Sequence, residues 1–257
     1  MSRVFVTGSA DGLGLMAARL MVEAGHQVVV HGRNQQRADH ALQASGGAEA
    51  AVFGDLESIQ ETRALAEQVN RLGEFDAVIH NAGVGYRERQ RIETVDRLPR
   101  LFAVNSLAPY ILTALITRPK RLVYVSSGMH HGADGSLEDL TWSARPWNGS
   151  SAYADSKLHD VILAFAVART WHDVYSNAIE PGWVATKMGG ASAPDDLDAA
   201  PRTQVWLATS DEPRALVSGK YFYHMRLRQA DSAASDEAVQ DRFLSECARL
   251  SGVAFPT

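Results

Sequence analysis

The chain has 257 residues, of which 46% are hydrophobic and 21% charged, and its formal net charge is −5. These values suit a packed globular chain and exclude a disordered one. No basic run or stripe is present, which argues against nucleic acid as a partner, and the single cysteine excludes an internal disulfide. No apolar stretch reaches the ~18 residues of a membrane span, and no charged-then-apolar leader precedes the first strand. We therefore expect a cytoplasmic protein without a membrane partner.

Short apolar runs alternate with segments of helical periodicity through the first 80 residues. The predicted strands are Arg3–Thr7, Gln27–His31, Ala50–Phe53 and Asp76–His80, with helices over residues 13–24, 35–45 and 59–72. Four strand-then-helix units in this order favour a parallel, doubly wound sheet.

Three glycines mark the first strand-to-helix turn, in the spacing Gly8-x3-Gly12-x-Gly14. Glycine lets a backbone approach a pyrophosphate, and the helix N-terminus supplies free N–H groups and a positive dipole end. The turn therefore predicts a dinucleotide site, with a plain structural turn as the alternative.

The second strand ends in His31-Gly32-Arg33-Asn34. A cation at this place favours the 2′-phosphate of NADP, whereas an acid favours the free ribose of NAD. Asp11 inside the glycine turn opposes a phosphate by its charge, and a surface role for Arg33 is the alternative. We predict NADPH, held by Arg33.

The second half contains three more predicted strands, which complete a sheet of seven. They are Arg121–Val125, Val174–Ile179 and Gly219–His224, with helices over 93–117, 150–171, 202–208 and 236–250 and a lid loop at about 187–200. Pro109 cannot donate a helical hydrogen bond to the carbonyl of Asn105, so a kink there would free that carbonyl to hold a water, with an ordinary tolerated kink as the alternative. We see one domain over residues 1–257.

Tyr153 and Lys157 stand four residues apart on a predicted helix, so their side chains share one face. An ammonium group near a phenol stabilises the phenolate, and we expect the pKa of Tyr153 to fall below its usual value. A tyrosine tuned in this way can act as a general acid or base. A solvated helix face is the alternative when the pair is considered alone.

Taken together, these motifs resemble the short-chain dehydrogenase/reductase family over nearly the whole chain, in the family's order. The resemblance implies a Rossmann-type fold and a catalytic set of Asn105, Ser127, Tyr153 and Lys157. Cofactor contacts implied by the matching motifs are Gly8, Ser9, Asp11, Gly12, Leu13, Gly14, Arg33, Asn34, Asp55, Leu56, Asn81, Ala82, Gly83, Tyr153, Lys157, Pro181, Gly182, Val184 and Thr186.

The resemblance also bears on which serine is catalytic and on the length of the segment between that serine and Tyr153. Ser126 competes with Ser127 for the catalytic role, and alignment with the family selects Ser127. The 26 residues from Ser127 to Tyr153 resemble the longer spacing of retinol-dehydrogenase-like members. Trp142 and Trp147 in this insertion would either wall a substrate pocket or pin the loop. The adjacent histidines at 130 and 131 have no ligand partner at a suitable spacing, so we expect no metal.

The resemblance implies hydride transfer between NADP(H) and a carbonyl or alcohol. Tyr153 would donate the proton, Lys157 would tune it and bind the nicotinamide ribose, and Ser127 would bind the carbonyl oxygen. Asn105 would hold a water for proton relay. The alternatives are a non-catalytic NAD(P)-binding sensor or scaffold, and an epimerase or dehydratase, for which the 71 residues after Thr186 leave little room. The family also implies a small-molecule substrate and a homo-dimer or homo-tetramer.

Overall fold

The computed structural model describes residues 1–256. Eight strands form one sheet in the order β3-β2-β1-β4-β5-β6-β7-β8. They are β1 (Arg3–Val6), β2 (Gln27–Gly32), β3 (Ala50–Phe53), β4 (Ala77–His80), β5 (Arg121–Val125), β6 (Tyr175–Glu180), β7 (Lys220–Tyr223) and β8 (Arg226–Arg228). The first seven pair in parallel, as predicted, and β8 pairs antiparallel with β7. The predicted doubly wound sheet is confirmed, and the prediction of seven strands was one short.

The additional strand depends on a tight turn that contains no typical hairpin-turn residues. His224 and Met225 join β7 to β8, and both have positive φ, 46° and 59°. Two left-handed residues give a hairpin the twist that its strands require, but Asn-Gly or Asp-Gly usually fills these positions. Because neither residue signals a hairpin, β8 was missed.

Helices cover both faces of the sheet. They are α1 (Gly12–Glu23), α2 (Gln35–Ala44), α3 (Ile59–Arg71), α4 (Arg100–Phe102), α5 (Ala108–Leu115), α6 (Gly149–Thr170), α7 (Arg202–Thr209) and α8 (Glu237–Ser251). Alternate residues of β1 feed opposite cores: Phe5 packs with the α3, α5, α6 and α8 side, and Val4 and Val6 pack with the α1 and α7 side. No helix within residues 1–256 has the length and apolar character needed to cross a membrane.

The helix predicted over residues 93–117 is shorter than expected. Glu93 pairs with Pro99 in an isolated antiparallel bridge, and α4 begins after Pro99. Proline disfavours helical backbone in the residue before it, so the residues ahead of Pro99 stay outside the helix. A π-helical turn, Ala103–Leu107, connects α4 to α5. The irregularity expected from Pro109 is therefore a widened turn that contains Asn105.

Candidate active site

The carboxyl ends of β5 and β6 open into a cavity of about 740 Å³. Its walls bring together Ser127 from the end of β5, Tyr153 from α6 and Glu180 from the end of β6. Leu13, in the first turn of α1, also lines it, so the cavity adjoins the glycine turn. Open α/β sheets bind ligands at this edge.

Helix α6 carries Tyr153 and Lys157, and its start is fixed by Asn148. The Asn148 side chain accepts a hydrogen bond from the backbone N–H of Ser151, which caps the helix. Tyr153 is 6% exposed and Lys157 is 4% exposed. The Lys157 Nζ lies 5.8 Å from the centre of the Tyr153 ring, so the helical spacing brings the pair together as predicted.

The environment of Tyr153 corrects one expectation. Burial raises the pKa of Tyr153, and the positive charge of Lys157 and the Ser127 hydroxyl offset only part of that rise. A phenolate is poorly stabilised away from water, a cost that spacing alone does not reveal. The predicted fall in the pKa was therefore wrong, and Tyr153 is a protonated acid at neutral pH.

Lys157 has a partner that the sequence analysis did not name. Its Nζ donates to the backbone oxygen of Val125 at 2.8 Å and to Oδ2 of Asp160 at 2.9 Å. Asp160 is 3% exposed, so the ion pair is buried. Lys and Asp at i, i+3 share a helix face, which was a readable signal.

The structure separates the two serines by orientation. Ser126 is 2% exposed, and its hydroxyl donates to the backbone oxygen of Lys157 at 2.7 Å, which ties β5 to α6. Ser127 is half-buried, caps the 3₁₀ turn Gly128–Gly132 and faces the cavity beside Tyr153. Ser126 also lines the cavity, but its hydroxyl proton is engaged by the Lys157 oxygen, whereas the Ser127 hydroxyl can still donate to a ligand.

Asn105 lies behind this pair, with its side chain fully engaged. Its Oδ1 accepts from the N–H of Val84 at 2.8 Å, and its Nδ2 donates to the Val84 oxygen and to the Ser156 hydroxyl. A Cβ added to Gly83 would lie 3.5 Å from both Asn105 Oδ1 and Lys157 Nζ. Any contact of Asn105 with a relay water therefore depends on its main-chain carbonyl.

The glycine turn has the shape of a backbone cradle. Gly8 has φ +62°, and a Cβ there would lie 2.7 Å from Cα of Ala82. Gly12 also has a left-handed φ, +53°, but a Cβ there would meet nothing within 4 Å. Gly8 is therefore needed for packing, whereas Gly12 keeps the outer surface of the turn bare at the start of α1. This bare helix start fits a dinucleotide pyrophosphate.

Other predicted contacts in this region hold the turn itself. Ser9 is fully buried, donates to the Val6 oxygen and accepts from the His31 N–H. The Asn81 amide donates to the backbone oxygens of Thr7 and Gly8, which joins β4 to the turn. Their side chains shape the cradle, and any contact of Ser9 with a cofactor would come from its backbone.

Charged groups gather where β2 ends beside the glycine turn. Arg33 follows β2 and is exposed, while Asn34 caps α2 by accepting from the N–H of Arg37. Asp11 is paired with Lys187 from the lid, and its Oδ2 lies 3.7 Å from Arg37. These two cations hold the pKa of Asp11 low. The acid that opposes a phosphate is thus partly neutralised, and Lys187 and Arg37 are partners of Asp11 that the sequence analysis did not name.

The remaining predicted contacts lie at neighbouring strand ends. Asp55 is half-buried and accepts from the N–H of Glu57, and Leu56 is packed in the core. Four residues of the predicted nicotinamide-side loop line the cavity: Pro181, Gly182, Val184 and Thr186.

The insertion between Ser127 and Tyr153 pins itself to the fold. The Trp142 and Trp147 rings meet edge to face at 5.5 Å, and the Trp147 Nε1 donates to the Glu88 oxygen. The Arg145 guanidinium stacks 3.7 Å over Trp142 and pairs with Asp155 of α6. Neither tryptophan lines the cavity. The pinning alternative is therefore correct, and no residue from 130 to 149 lines the cavity.

Comparison with known proteins agrees with this geometry. A family model described as short chain dehydrogenase matches residues 2–197. The chain belongs to the short-chain dehydrogenase/reductase family. This confirms the predicted family and fold class, and it makes the protein an oxidoreductase of a fold that binds a nicotinamide cofactor.

Several relatives match over the full chain. An uncharacterized oxidoreductase of Emericella nidulans, AN7799, is 45% identical and is covered over 99% of its length, with 100% of this chain. The short-chain dehydrogenase chry4 of Gibberella zeae is 39% identical, with both chains fully covered. Human retinol dehydrogenase 13 is 28% identical over 99% of this chain and 86% of its own, in keeping with the long serine-to-tyrosine spacing.

Solved structures show the same fold. A crystal structure of an uncharacterized protein from Mycobacterium paratuberculosis has a TM-score of 0.86 at 24% identity, covering 100% of this chain and 96% of its own. A blue fluorescent protein from a metagenomic library, solved in complex with NADPH, has a TM-score of 0.68 at 20% identity, covering 86% and 95%.

Proposed function

We propose that this protein is an NADPH-dependent carbonyl reductase, able to run in reverse as an alcohol dehydrogenase. The observation that carries the proposal is the meeting of the Ser127 and Tyr153 side chains on one wall of a cavity that also adjoins the glycine turn. A carbonyl group in that cavity can reach both hydroxyl groups and still face the cofactor cradle. We treat residues 1–257 as one functional domain.

Each residue of the set has a distinct task in this proposal. The Ser127 hydroxyl donates a hydrogen bond to the substrate oxygen, which orients the carbonyl and stabilises its developing negative charge. The Tyr153 hydroxyl donates the proton that turns this oxygen into an alcohol. Because the pKa of Tyr153 is raised, its hydroxyl is protonated at neutral pH, which is the form that reduction requires. When bound, the cofactor supplies the hydride.

In this proposal, Lys157 and Asn105 assist Tyr153 and do not bind the substrate oxygen. The Lys157 ammonium lies under the Tyr153 ring and limits the rise of the tyrosine pKa. Pro109 has no N–H to offer the carbonyl of Asn105, so this oxygen is the candidate acceptor for a water that resupplies the proton.

The proposal of NADPH over NADH depends on the charges beside β2. Arg33 is exposed and carries a planar guanidinium suited to a phosphate. Arg37 stands one helical turn further on, and its Nη2 donates to the Ala10 oxygen at 3.2 Å. Pairing of Asp11 with Lys187 removes part of the charge that would repel a 2′-phosphate. The solved complex of a protein of the same fold with NADPH supports this proposal.

A panel of aldehydes, ketones and secondary alcohols, assayed with NADPH and NADP⁺ and again with NADH and NAD⁺, tests the function. We expect net oxidation of NADPH with at least one carbonyl compound and a higher kcat/KM for NADPH than for NADH. Cofactor binding without turnover across the panel would point instead to the sensor or scaffold alternative. Turnover of a sugar-like substrate without net use of NADPH would point to an epimerase or dehydratase.

We also propose a homo-dimer or homo-tetramer, from the family resemblance. Light scattering of the purified protein tests this, and a monomer mass would contradict it.

A further inference from the structure

The cavity contains a carboxylate that neither the fold nor the proposed chemistry explains. Glu180 is the last residue of β6, is half-buried and lines the cavity together with Ser127 and Tyr153. A Cβ added to Gly128 would lie 2.5 Å from Oε2 of Glu180. The carboxylate therefore lies directly against the residue that follows Ser127, at the reactive end of the cavity.

This carboxylate lacks a strong partner among residues 1–256. Arg228 and His131 lower the pKa of Glu180 by their charge, but neither forms an ion pair with it. The Arg228 guanidinium is stacked 4.6 Å from the centre of the Tyr223 ring instead. Burial outweighs these effects and raises the pKa of Glu180.

A buried tyrosine lies beside Glu180. Tyr221 is 1% exposed, and its hydroxyl meets the geometry of no hydrogen bond within the described residues. The Tyr221 hydroxyl is nevertheless close enough to lower the pKa of Glu180. The two groups therefore lie against each other, but Glu180 is only half-buried and its carboxylate keeps acceptor sites open to the cavity.

The other carboxylate of the cavity offers a contrast. Oδ2 of Asp195 accepts from the backbone N–H of Trp183 at 2.6 Å and closes the loop at Gly182. Asp195 is thus occupied by the protein. Most of the other cavity walls are apolar or aromatic: Leu13, Tyr86, Met129, Trp183, Val184 and Met188.

We propose that Glu180 is a specificity-determining residue that accepts a hydrogen bond from an N–H or O–H group of the substrate. The substrate class is then an apolar or aromatic carbonyl compound that carries a hydrogen-bond donor, rather than a plain hydrocarbon ketone or aldehyde. This inference rests on the proposed function, because it assumes that the carbonyl lies at Ser127 and Tyr153. A site built for a donor rejects a ligand that lacks one, since its polar groups would remain unpaired.

The test compares ketones that differ only in a donor. Acetophenone is paired with its 2′-, 3′- and 4′-amino derivatives, which place the N–H at different distances from the carbonyl. In the unmodified enzyme, we expect kcat/KM with NADPH to be roughly ten-fold or more higher for at least one amino derivative, the size of a hydrogen bond to a charged group. Glu180→Leu removes the acceptor and should bring this ratio close to one, and Glu180→Gln should give a value between the two.

Asp195→Asn is the matched control, because it removes a second cavity carboxylate whose hydrogen bond is already taken. Whatever it does to the absolute rates, the ratio should remain that of the unmodified enzyme. Thermal melting of all variants checks that they fold. An equal kcat/KM for acetophenone and all three derivatives in the unmodified enzyme, or an unchanged ratio in Glu180→Leu, would overturn the proposal.

Binding separates this proposal from the proposed function. Titration calorimetry of the same four ketones with NADP⁺ present, where no reduction can occur, measures affinity without turnover. A donor-dependent gain in affinity that is lost in Glu180→Leu supports the Glu180 site even if no ketone is reduced. Absence of reduction in all variants would count against the reductase alone, and donor-independent binding would count against Glu180 alone.

Discussion

Two regions at the edge of the sheet use their polar side chains differently: the glycine turn, which we call the cofactor side, and the cavity, which we call the substrate side. Around the glycine turn, Thr7, Ser9 and Asn81 direct their side chains at neighbouring backbone, so the backbone itself forms the binding surface. Around the cavity, the side chains of Ser127 and Glu180 line the space that a ligand would occupy. A surface made of backbone suits a ligand that never changes, whereas a surface made of side chains can be retuned by single substitutions.

Tyr153→Phe is the largest test of this contrast, because it should abolish the chemistry and leave the cofactor side intact. We expect kcat to fall by about 10³-fold or more, since the substitution removes the proposed proton donor. The affinity for NADPH, measured by its fluorescence, should stay within a few-fold of the unmodified enzyme.

Tyr110→Phe is the matched control for that substitution. The Tyr110 hydroxyl donates to the Val253 oxygen at 2.8 Å in the core, far from any proposed reacting atom. Its loss should lower the free energy of unfolding by about 1 kcal/mol and spare kcat. Near-normal turnover in Tyr153→Phe would exclude Tyr153 as the acid.

Ser126 and Ser127 are adjacent in the chain, but we expect a structural role for Ser126 and a catalytic role for Ser127. Ser127→Ala should lower kcat by about 10²-fold, because it removes a donor aimed at the developing oxyanion. Ser126→Ala removes the hydrogen bond to the Lys157 oxygen, so we expect mainly a lower melting temperature. Steady-state kinetics and thermal melting of both variants decide the matter. A larger loss of kcat in Ser126→Ala than in Ser127→Ala would reverse the assignment.

Arg33→Asp tests the cofactor side. It should alter the preference between NADPH and NADH and leave the substrate side unchanged. We expect the ratio of kcat/KM for NADPH over NADH to fall by about ten-fold or more, because a carboxylate repels a 2′-phosphate and suits a free ribose. Arg71→Asp, with the same charge change in the last turn of α3, is the control. An unmoved ratio in Arg33→Asp would transfer the role to Arg37.

The parts of the site that could be predicted are those whose signal is local. The glycine turn, the Tyr153 and Lys157 pair and the order of strands follow from short spacings that a backbone must obey. Burial and long-range neighbours do not appear in such spacings. The rise in the Tyr153 pKa needs the whole cavity wall, and the pairing of Asp11 with Lys187 joins residues 176 positions apart.

Two missed residues had partial signals. Glu180 immediately precedes Pro181-Gly182 at a strand end, where the prediction already expected ligand contacts, but nothing in the sequence indicates that its carboxylate faces a cavity. Asp160 follows Lys157 by three residues, but a pair at this spacing is usually solvated. Only the packing of α6 against β5 shows that this one is buried.

Asp160 acts on Tyr153 partly through Lys157, because it forms an ion pair with the lysine whose charge lowers the pKa of Tyr153. Its charge is present above about pH 6, since burial raises the pKa of Asp160 to about 6 against the pull of Lys157. Besides Lys157 and Tyr153, the ionisable group facing Asp160 is Tyr124 of β5, and burial raises the pKa of that phenol, so it stays neutral. The negative charge of Asp160 in turn raises the pKa of Tyr153.

Asp160→Asn should therefore change the pH dependence of the reaction more distinctly than its rate. Removing the charge lowers the pKa of Tyr153, so the phenolate needed for alcohol oxidation forms at lower pH. We expect the acid limb of kcat against pH for oxidation to move to lower pH. The variant should also melt at a lower temperature, because Lys157 loses its buried counter-charge. Asp160→Glu retains the charge and should keep the limb near its original position. A limb that stays in place in Asp160→Asn, with only stability lost, would restrict Asp160 to a structural role.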